Sequence, residues 1–319
     1  PEPIATLLHG LREDDRLGIL HTDNGNPSII AENLEPSEEI TKTLVETLSD
    51  GAVLSFGLES ADPSVHEANW LNCDPAQLKT AIRLVNKHGS VRGERGLPKL
   101  LPGLNFIAGL NGESEATYGM NMALLRDIRS EGLLLRRINI RQVEGEGFQE
   151  VPSDAFAEFK TACRDDIDKP LLEELFPLGH IIHDVHWESH DGRTRLPVHE
   201  TDLHRAPEVH GKAGITFGRQ IGAYPILVGV EYKIPLETQS SVMITGHGAR
   251  SITGVEVGLD PLTVSEKQLE AMPGIGKKSA WSLVAARAKL RSKGRDLELE
   301  PWLEKVGVPL TETVRNIFL

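Results

Sequence analysis

The string FGLESADPSV, residues 56–65, ends an apolar run in a glycine, a carboxylate, a hydroxyl and a proline. A buried strand does not need such an ending. Glu59 offers two carboxylate oxygens as hydrogen-bond acceptors, and Gly57 lets a ligand approach the backbone closely. Glu59 and Ser60 are equally suited to capping the turn before Asp62. Asp23, Asn24 and Asn26 in HTDNGN form a second polar cluster, and Asn139 and Arg141 in RINIRQ a third. Arg141 could hold a carboxylate or phosphate through two donors, while Asp and Asn are also turn formers that bond their own backbone. In MPGIGKK, Gly274 and Gly276 can expose successive amides at a helix N-terminus, with Lys277 and Lys278 adding charge, a combination suited to a phosphate. His183, His186, Glu188 and His190 are metal-ligand types at close spacing, but His186, Glu188 and His190 alternate as on the solvent face of a strand, and no metal site is assigned to this chain.

The elements that must position these residues alternate. LGILHTDNGNP (17–27) is an apolar run closed by turn residues, and PSEEITKTLVETL (36–48) follows as an amphipathic helix. AVLSFGLES leads into DPAQLKTAIRLVNKHG (74–89), a helix with Asp74 as N-cap and Pro75 in its first position. GLNFIAGLNGES, a helix over 114–132 and LRRINIRQVEG (135–145) complete the series. Strand followed by helix, repeated, predicts parallel strands with right-handed crossovers, in an open doubly wound sheet or a barrel. Ligands of such folds lie at the C-terminal ends of the strands, where HTDNGN, GLES and GLNGES all fall. Residues 148–205 read as a helix-plus-strand extension. Residues 206–261, rich in glycine and β-branched residues, read as a small β-barrel-like domain, and 262–319 as helical.

The composition, 39% hydrophobic and 25% charged, is that of an ordinary soluble protein. A net charge of -13 opposes any protein-wide attraction to nucleic acid or anionic membrane, so a nucleic-acid contact must be a local basic patch. Such a patch exists, because Gly274 to Arg295 carries only basic charged residues. Two isolated cysteines, Cys73 and Cys163, argue against a disulfide framework and for a reducing cytoplasm. No apolar run is long enough to span a bilayer, so no membrane partner is expected.

Taken together and in this order, HTDNGNP, GLESADP, LPGLNFIAGLNGE, LLRRINIRQV, TFGRQIGAYPILVGV and MPGIGKKSA resemble a radical S-adenosylmethionine (radical SAM) subfamily, found mainly in archaea, with a C-terminal helix-hairpin-helix. The resemblance covers nearly the whole chain. It implies that residues 1–147 are the second half of a partial (β/α)6 barrel, followed by a small β-rich domain and a helix-hairpin-helix domain. It implies S-adenosylmethionine and a [4Fe-4S] cluster as cofactors, an electron donor as partner, and generation of a 5'-deoxyadenosyl radical. Glu59 would then accept hydrogen bonds from ribose, with Gly57 and Ser60 beside it. Phe106, Ile107, Gly109 and Leu110 would wall the adenine. Asp23, Asn24, Asn26, Asn139 and Arg141 would face the S-adenosylmethionine carboxylate or the substrate, and Gly274, Gly276, Lys277 and Lys278 would meet RNA or DNA. Glu113 reads instead as a cap on the helix that follows it.

One departure from that family is decisive. The family holds its cluster by a C-x-x-x-C-x-x-C loop, and nothing like it occurs here. The expectation is that this loop lies upstream of Pro1, so that the chain alone is an incomplete catalyst. The competing expectation is a non-catalytic nucleic-acid-binding protein built on a degenerate half-barrel.

Overall fold

The computed structural model describes residues 1–190 and 214–318. The chain divides into two compact units, Pro1–Leu175 with Gly222–Tyr224, and Phe176–Ile221 with Pro225–Leu319. The expected boundary between residues 205 and 206 lies outside the described residues.

The first unit is built on four parallel strands, β1 (Asn24–Gly25), β2 (Ala52–Glu59), β3 (Leu100–Ala108) and β4 (Arg137–Gln142), in the spatial order β1-β2-β3-β4. Before the sheet comes α1 (Glu2–Arg12). The crossovers carry α2 (Pro27–Glu32), α3 (Leu34–Thr47), α4 (Pro63–Asn69), α5 (Pro75–Gly89) and α6 (Glu115–Ser130). Beyond β4 come α7 (Ser153–Ala162), a π-helical turn (Cys163–Asp168) and α8 (Lys169–Leu175). Local chemistry fixes the start of α5: Asp74 accepts from the Gln77 amide at 2.8 Å while the Gln77 side chain accepts from the Asp74 amide, a reciprocal capping box. The strand pleat sends Leu54, Phe56 and Leu58 of β2, with Leu104, Phe106 and Ala108 of β3, to the face covered by helices. There they meet Ile82 and Val85 of α5, Leu125 and Ile128 of α6, and Phe156 and Phe159 of α7. Each large side chain buried this way contributes about 1.5–3 kcal/mol.

This architecture corrects the expected fold. The first unit is not evidently part of a (β/α)6 barrel: it is an open sheet of four strands, with β1 reduced to two residues. The run from residue 17 yields so short a strand because its ladder is thin. β1 pairs with β2 only through Asn24 opposite Ser55 and Gly25 opposite Phe56, and Leu20 is tied to Ser49 in a loop. Closing a barrel requires continuous strand pairing around the whole circuit, which four parallel strands do not supply.

The closed barrel of this chain is in the second unit. It is formed by β5 (Ile181–His190), β6 (Thr216–Gln220), β7 (Leu227–Val230), β8 (Gln239–His247) and β9 (Ser251–Glu256), in the order β5-β6-β7-β9-β8. β8 pairs with both β5 and β9 to complete the ring, and all pairs are antiparallel except β7 with β9. Its first strand comes from the segment expected to be an extension, so the barrel begins before residue 206. Trp187, fully buried, donates its indole N–H to Ser240 Oγ at 2.8 Å, as a buried Trp must to avoid an orphaned donor. The remainder forms α9 (Glu266–Glu270), α10 (Lys277–Ser292), α11 (Leu299–Glu304) and α12 (Glu312–Phe318). Trp302, also buried, donates to Leu283 O at 2.8 Å and ties α11 to α10.

No helix among the described residues is long and apolar enough to cross a membrane.

Candidate functional site

A parallel sheet covered on both faces reads as continuous apolar strands, but β3 and β4 do not. Opposite the core face, the pleat presents Ser55 and Gly57 of β2, Gly103, Asn105 and Ile107 of β3, and Arg137, Asn139 and Arg141 of β4. The register aligns Gly57, Asn105 and Asn139 in one row across the three strands, with Ile107 opposite Arg141 in the next. Asn139 Nδ2 lies 3.3 Å from Asn105 Oδ1, a long hydrogen bond that leaves both carboxamides further donors and acceptors. On this face Ser55 and Gly103 are buried, Gly57, Asn105, Ile107 and Asn139 half-buried and Arg137 and Arg141 exposed, so that it opens toward the C-terminal ends of the strands.

Glu59 stands at its rim. A register shift between Gly57 and Glu59 interrupts the pairing with β3, and Glu59 takes a left-handed backbone conformation with φ 68°. A non-glycine residue held there costs of order 1–3 kcal/mol, and Glu59 shares this conformation with Trp70, Asp184, Tyr224 and Glu237. The shift turns its side chain back over the strand, so that Oε1 would stand 2.5 Å from a Cβ built on Gly57. Oε2 is buried without a hydrogen-bond partner among the described residues. Burial pushes the Glu59 carboxyl above the usual carboxylate range, and the positive charge of Arg141 opposes the shift.

The loop after β2 is locked from behind. Ser60, buried, accepts from the Asp62 amide at 3.1 Å, and its carbonyl meets His66 Nε2. Asp62 caps α4 by accepting from the Ser64 amide at 2.9 Å and takes a 2.6 Å bond from Thr117 Oγ. Asn121 Oδ1 accepts from the Ala61 amide at 2.6 Å. Ser60 is thus part of the turn, whereas the Glu59 carboxylate folds back over Gly57.

The residues expected to wall an adenine separate. Ile107 is half-buried on the polar face. Phe106 lies on the core face, 1% exposed, edge-on to Phe159 with ring centroids 5.7 Å apart. Leu110 is buried. Both backbone groups of Gly109 are engaged: its N–H donates to Glu113 Oε2 at 2.5 Å, and its carbonyl accepts from Gln149 N at 2.9 Å. Buried Glu113 therefore braces the loop after β3. That loop is also zipped to the end of α4 by reciprocal bonds between Asn69 and Asn111 at 2.7 and 3.2 Å.

Asp23 and Asn24 are exposed beside the β2 edge, where the Asp23 carbonyl accepts from the Ser55 amide at 2.8 Å. Asn26 is the N-cap of α2, its Oδ1 accepting from the amides of Ser28 and Ile29 at 3.1 and 3.3 Å. The structure therefore brings Gly57, Glu59, Ile107, Asn139 and Arg141 together on one face, and Asp23 and Asn24 to its edge. Asn105 joins them unpredicted. The signal was a lone amide inside an apolar strand, two residues from a glycine on the same side.

In the second unit, Gly274 and Gly276 form the turn between α9 and α10, with Gly276 as N-cap of α10 and open space beside both. Met272 and Ile275 are buried beneath the turn, while Lys277 and Lys278 are exposed. The histidine-rich strand β5 alternates as expected, but its polar side is half-buried. His183 bonds Ser241 Oγ and His190 bonds the Ile234 carbonyl, each at 2.8 Å, and Glu188 pairs with Arg219 at 2.8 Å.

No protein-family profile matches the chain. It is 38% identical to an uncharacterized protein of Archaeoglobus fulgidus over 269 residues, covering 81% of this chain and 47% of that protein. It is 35% identical to an uncharacterized protein of Methanocaldococcus jannaschii over 264 residues, covering 79% of this chain and 45% of that protein. The chain thus spans about half the length of the curated relatives it matches.

Proposed function

We propose that this chain is the adenosine-binding and substrate-facing part of a radical S-adenosylmethionine enzyme. The observation that carries the reading is the buried, unpartnered Oε2 of Glu59 at the C-terminal end of β2, above a polar face that holds Asn105, Asn139 and Arg141. A buried acceptor without a donor costs about 1–3 kcal/mol, and a ribose hydroxyl is a donor of the right kind to relieve that cost. The residues present fit the cofactor: Glu59 would take the ribose, Ile107 would offer apolar contact, and Arg141 suits its carboxylate. S-adenosylmethionine supplies, when reductively cleaved, the radical that abstracts hydrogen from a substrate. The chain's own part is to hold the adenosine and to brace the loops after β2 and β3 through Asn121 and Glu113.

The residues do not fit the [4Fe-4S] cluster that this chemistry needs. Cys73 and Cys163 are both buried in the apolar core, and burial pushes the Cys73 thiol up to about 12. The cluster's thiolates are not residues of this chain. An oxygen-sensitive cluster and two cysteines outside any disulfide suit the cytoplasm. The glycine turn and lysines at the start of α10 support contact with a nucleic acid, the substrate class we assign to the tail.

The test is calorimetric titration of the chain with S-adenosylmethionine. Glu59→Ala should weaken binding roughly tenfold to a hundredfold, the loss expected for charge-assisted hydrogen bonds of about 1.5–3 kcal/mol. An affinity unchanged in Glu59→Ala, or no binding by the unaltered chain, would refute the reading.

A further inference from the structure

Lys277 to Ser292 form one helix of 16 residues whose solvent face is unlike the rest of this acidic chain. At 3.6 residues per turn, its exposed residues fall on one arc that includes Lys277, Lys278, Trp281, Ala285, Ala288 and Lys289. The opposite arc is buried through Ala280 and Leu283. Trp281 lies near the middle of the exposed arc and is 62% exposed. The alanines leave one side of the indole clear, and lysines stand at both ends of the stripe, about 18 Å apart along the axis. From Gly274 to Arg295 there is no acidic residue.

An exposed tryptophan alone means little. Here it sits between cations on a face without carboxylates, in a chain of net charge -13, so the complementary partner is a polyanion with apolar flat groups. Duplex nucleic acid offers charge but keeps its bases stacked inside. Single-stranded nucleic acid offers phosphates to the lysines and an unstacked base to the indole. Arg287, by contrast, is committed to structure, donating to the Pro261 and Val264 carbonyls at 3.0 and 2.7 Å.

We infer that the exposed face of α10 binds single-stranded nucleic acid, with Trp281 stacking on a base between phosphates held by Lys277, Lys278 and Lys289. This deepens the nucleic-acid reading of the tail and rests on it. Stacking gives the face a preference for unpaired over paired strands that charge alone does not provide.

The experiment titrates the full chain with a labelled single-stranded RNA of roughly 12 nucleotides and with an RNA hairpin of equal phosphate count. Both titrations are made at about 50 mM and about 200 mM salt. Trp281→Ala should weaken the single strand about tenfold, within the range for loss of one stacked base, and leave the hairpin within about twofold. Trp281→Phe should restore most of the affinity. Lys277→Glu with Lys278→Glu should weaken both forms and flatten the salt dependence. If Trp281→Ala leaves the single strand unchanged, or weakens both forms equally, stacking is overturned while the nucleic-acid reading stands. If neither RNA binds at the lower salt, the nucleic-acid reading itself fails and this inference with it. Vesicles of anionic lipid serve as the last arm: Trp281-dependent binding to them without RNA binding would assign the face to a membrane surface and overturn the inference.

Discussion

The carboxylate of Glu59 occupies the space that a side chain on Gly57 would need, with Oε1 2.5 Å from the position of that Cβ. Gly57 is therefore not required for its own backbone, which avoids the left-handed region, but for the carboxylate folded over it. A flexible side-chain end can yield where a backbone cannot. Gly57→Ala should accordingly fold with a melting temperature within a few degrees of the parent, since displacing the end of one flexible side chain costs about 1 kcal/mol. On the proposed role of Glu59, a carboxylate pushed off the strand should weaken S-adenosylmethionine binding. Thermal denaturation and calorimetry with S-adenosylmethionine check the two halves. Unchanged ligand affinity would separate Glu59 from the ligand.

Glu59 also sets a pH dependence whose sign follows from its burial. A carboxyl raised above its unfolded value favours the protonated form in the folded state. Its contribution to stability is present below the unfolded value and is lost as pH rises through the folded one. Glu59→Gln, which keeps the shape and removes the charge, should be more stable than the parent at neutral pH, with the difference shrinking as pH falls below the carboxylate range. The same variant should bind S-adenosylmethionine less well, because an amide replaces one of the two acceptors with a donor. Denaturant unfolding of both proteins across pH measures the first effect. A parent more stable than Glu59→Gln at neutral pH would mean that Arg141 outweighs burial.

Much of this arrangement was legible in the sequence, and the exceptions have physical causes. The α5 start was written in Asp74, Pro75 and Gln77, whose capping chemistry is local. The placement of GLES and GLNGES at strand ends followed from alternation of strand and helix. Phe106 was expected at the adenine and is in the core, because facing is set by pleat parity, and one residue's difference moves a side chain to the other side. The bulge at Glu59 reverses that parity locally and leaves no mark in composition. Barrel closure depends on pairings such as β5 with β8, between residues far apart in the chain, and so could not be read from a local pattern. Asn121 and Glu113 were missed as braces because their partners, the amides of Ala61 and Gly109, are backbone groups with no sequence signature.

Gly109 tests the brace behind β3. Its φ of +93° belongs to the region that disfavours side chains, and a Cβ there would lie 2.6 Å from the Val143 carbonyl oxygen. Gly132 has a comparable φ of +72° but nothing within 4 Å of its Cβ position. Gly132→Ala should therefore cost only the conformational penalty, about 1 kcal/mol. Gly109→Ala should cost more, about 1–3 kcal/mol, since backbone must also shift. Denaturant midpoints at unchanged slope give both numbers. Equal costs for the two would show that the loop after β3 yields freely and does not hold a rigid rim.

Cysteine placement yields the last expectation. A cluster ligand must be a thiolate that reaches iron, and thiols buried in apolar surroundings resist ionisation. Cys73 is 2% exposed with its thiol pushed up to about 12, first by burial and then by the Asp74 charge. Cys163 is 1% exposed in the same apolar core. Anaerobic incubation of the chain with iron and sulfide should therefore leave no stoichiometric iron, sulfide or cluster absorbance after desalting, while S-adenosylmethionine binding through Glu59 persists. Replacing both cysteines by alanine or serine should leave that ligand binding unchanged, although the buried cavities would lower stability. A stoichiometric cluster on the unaltered chain would require the core around Cys73 and Cys163 to open, and would overturn the separation of adenosine-binding and cluster-binding residues proposed for this protein.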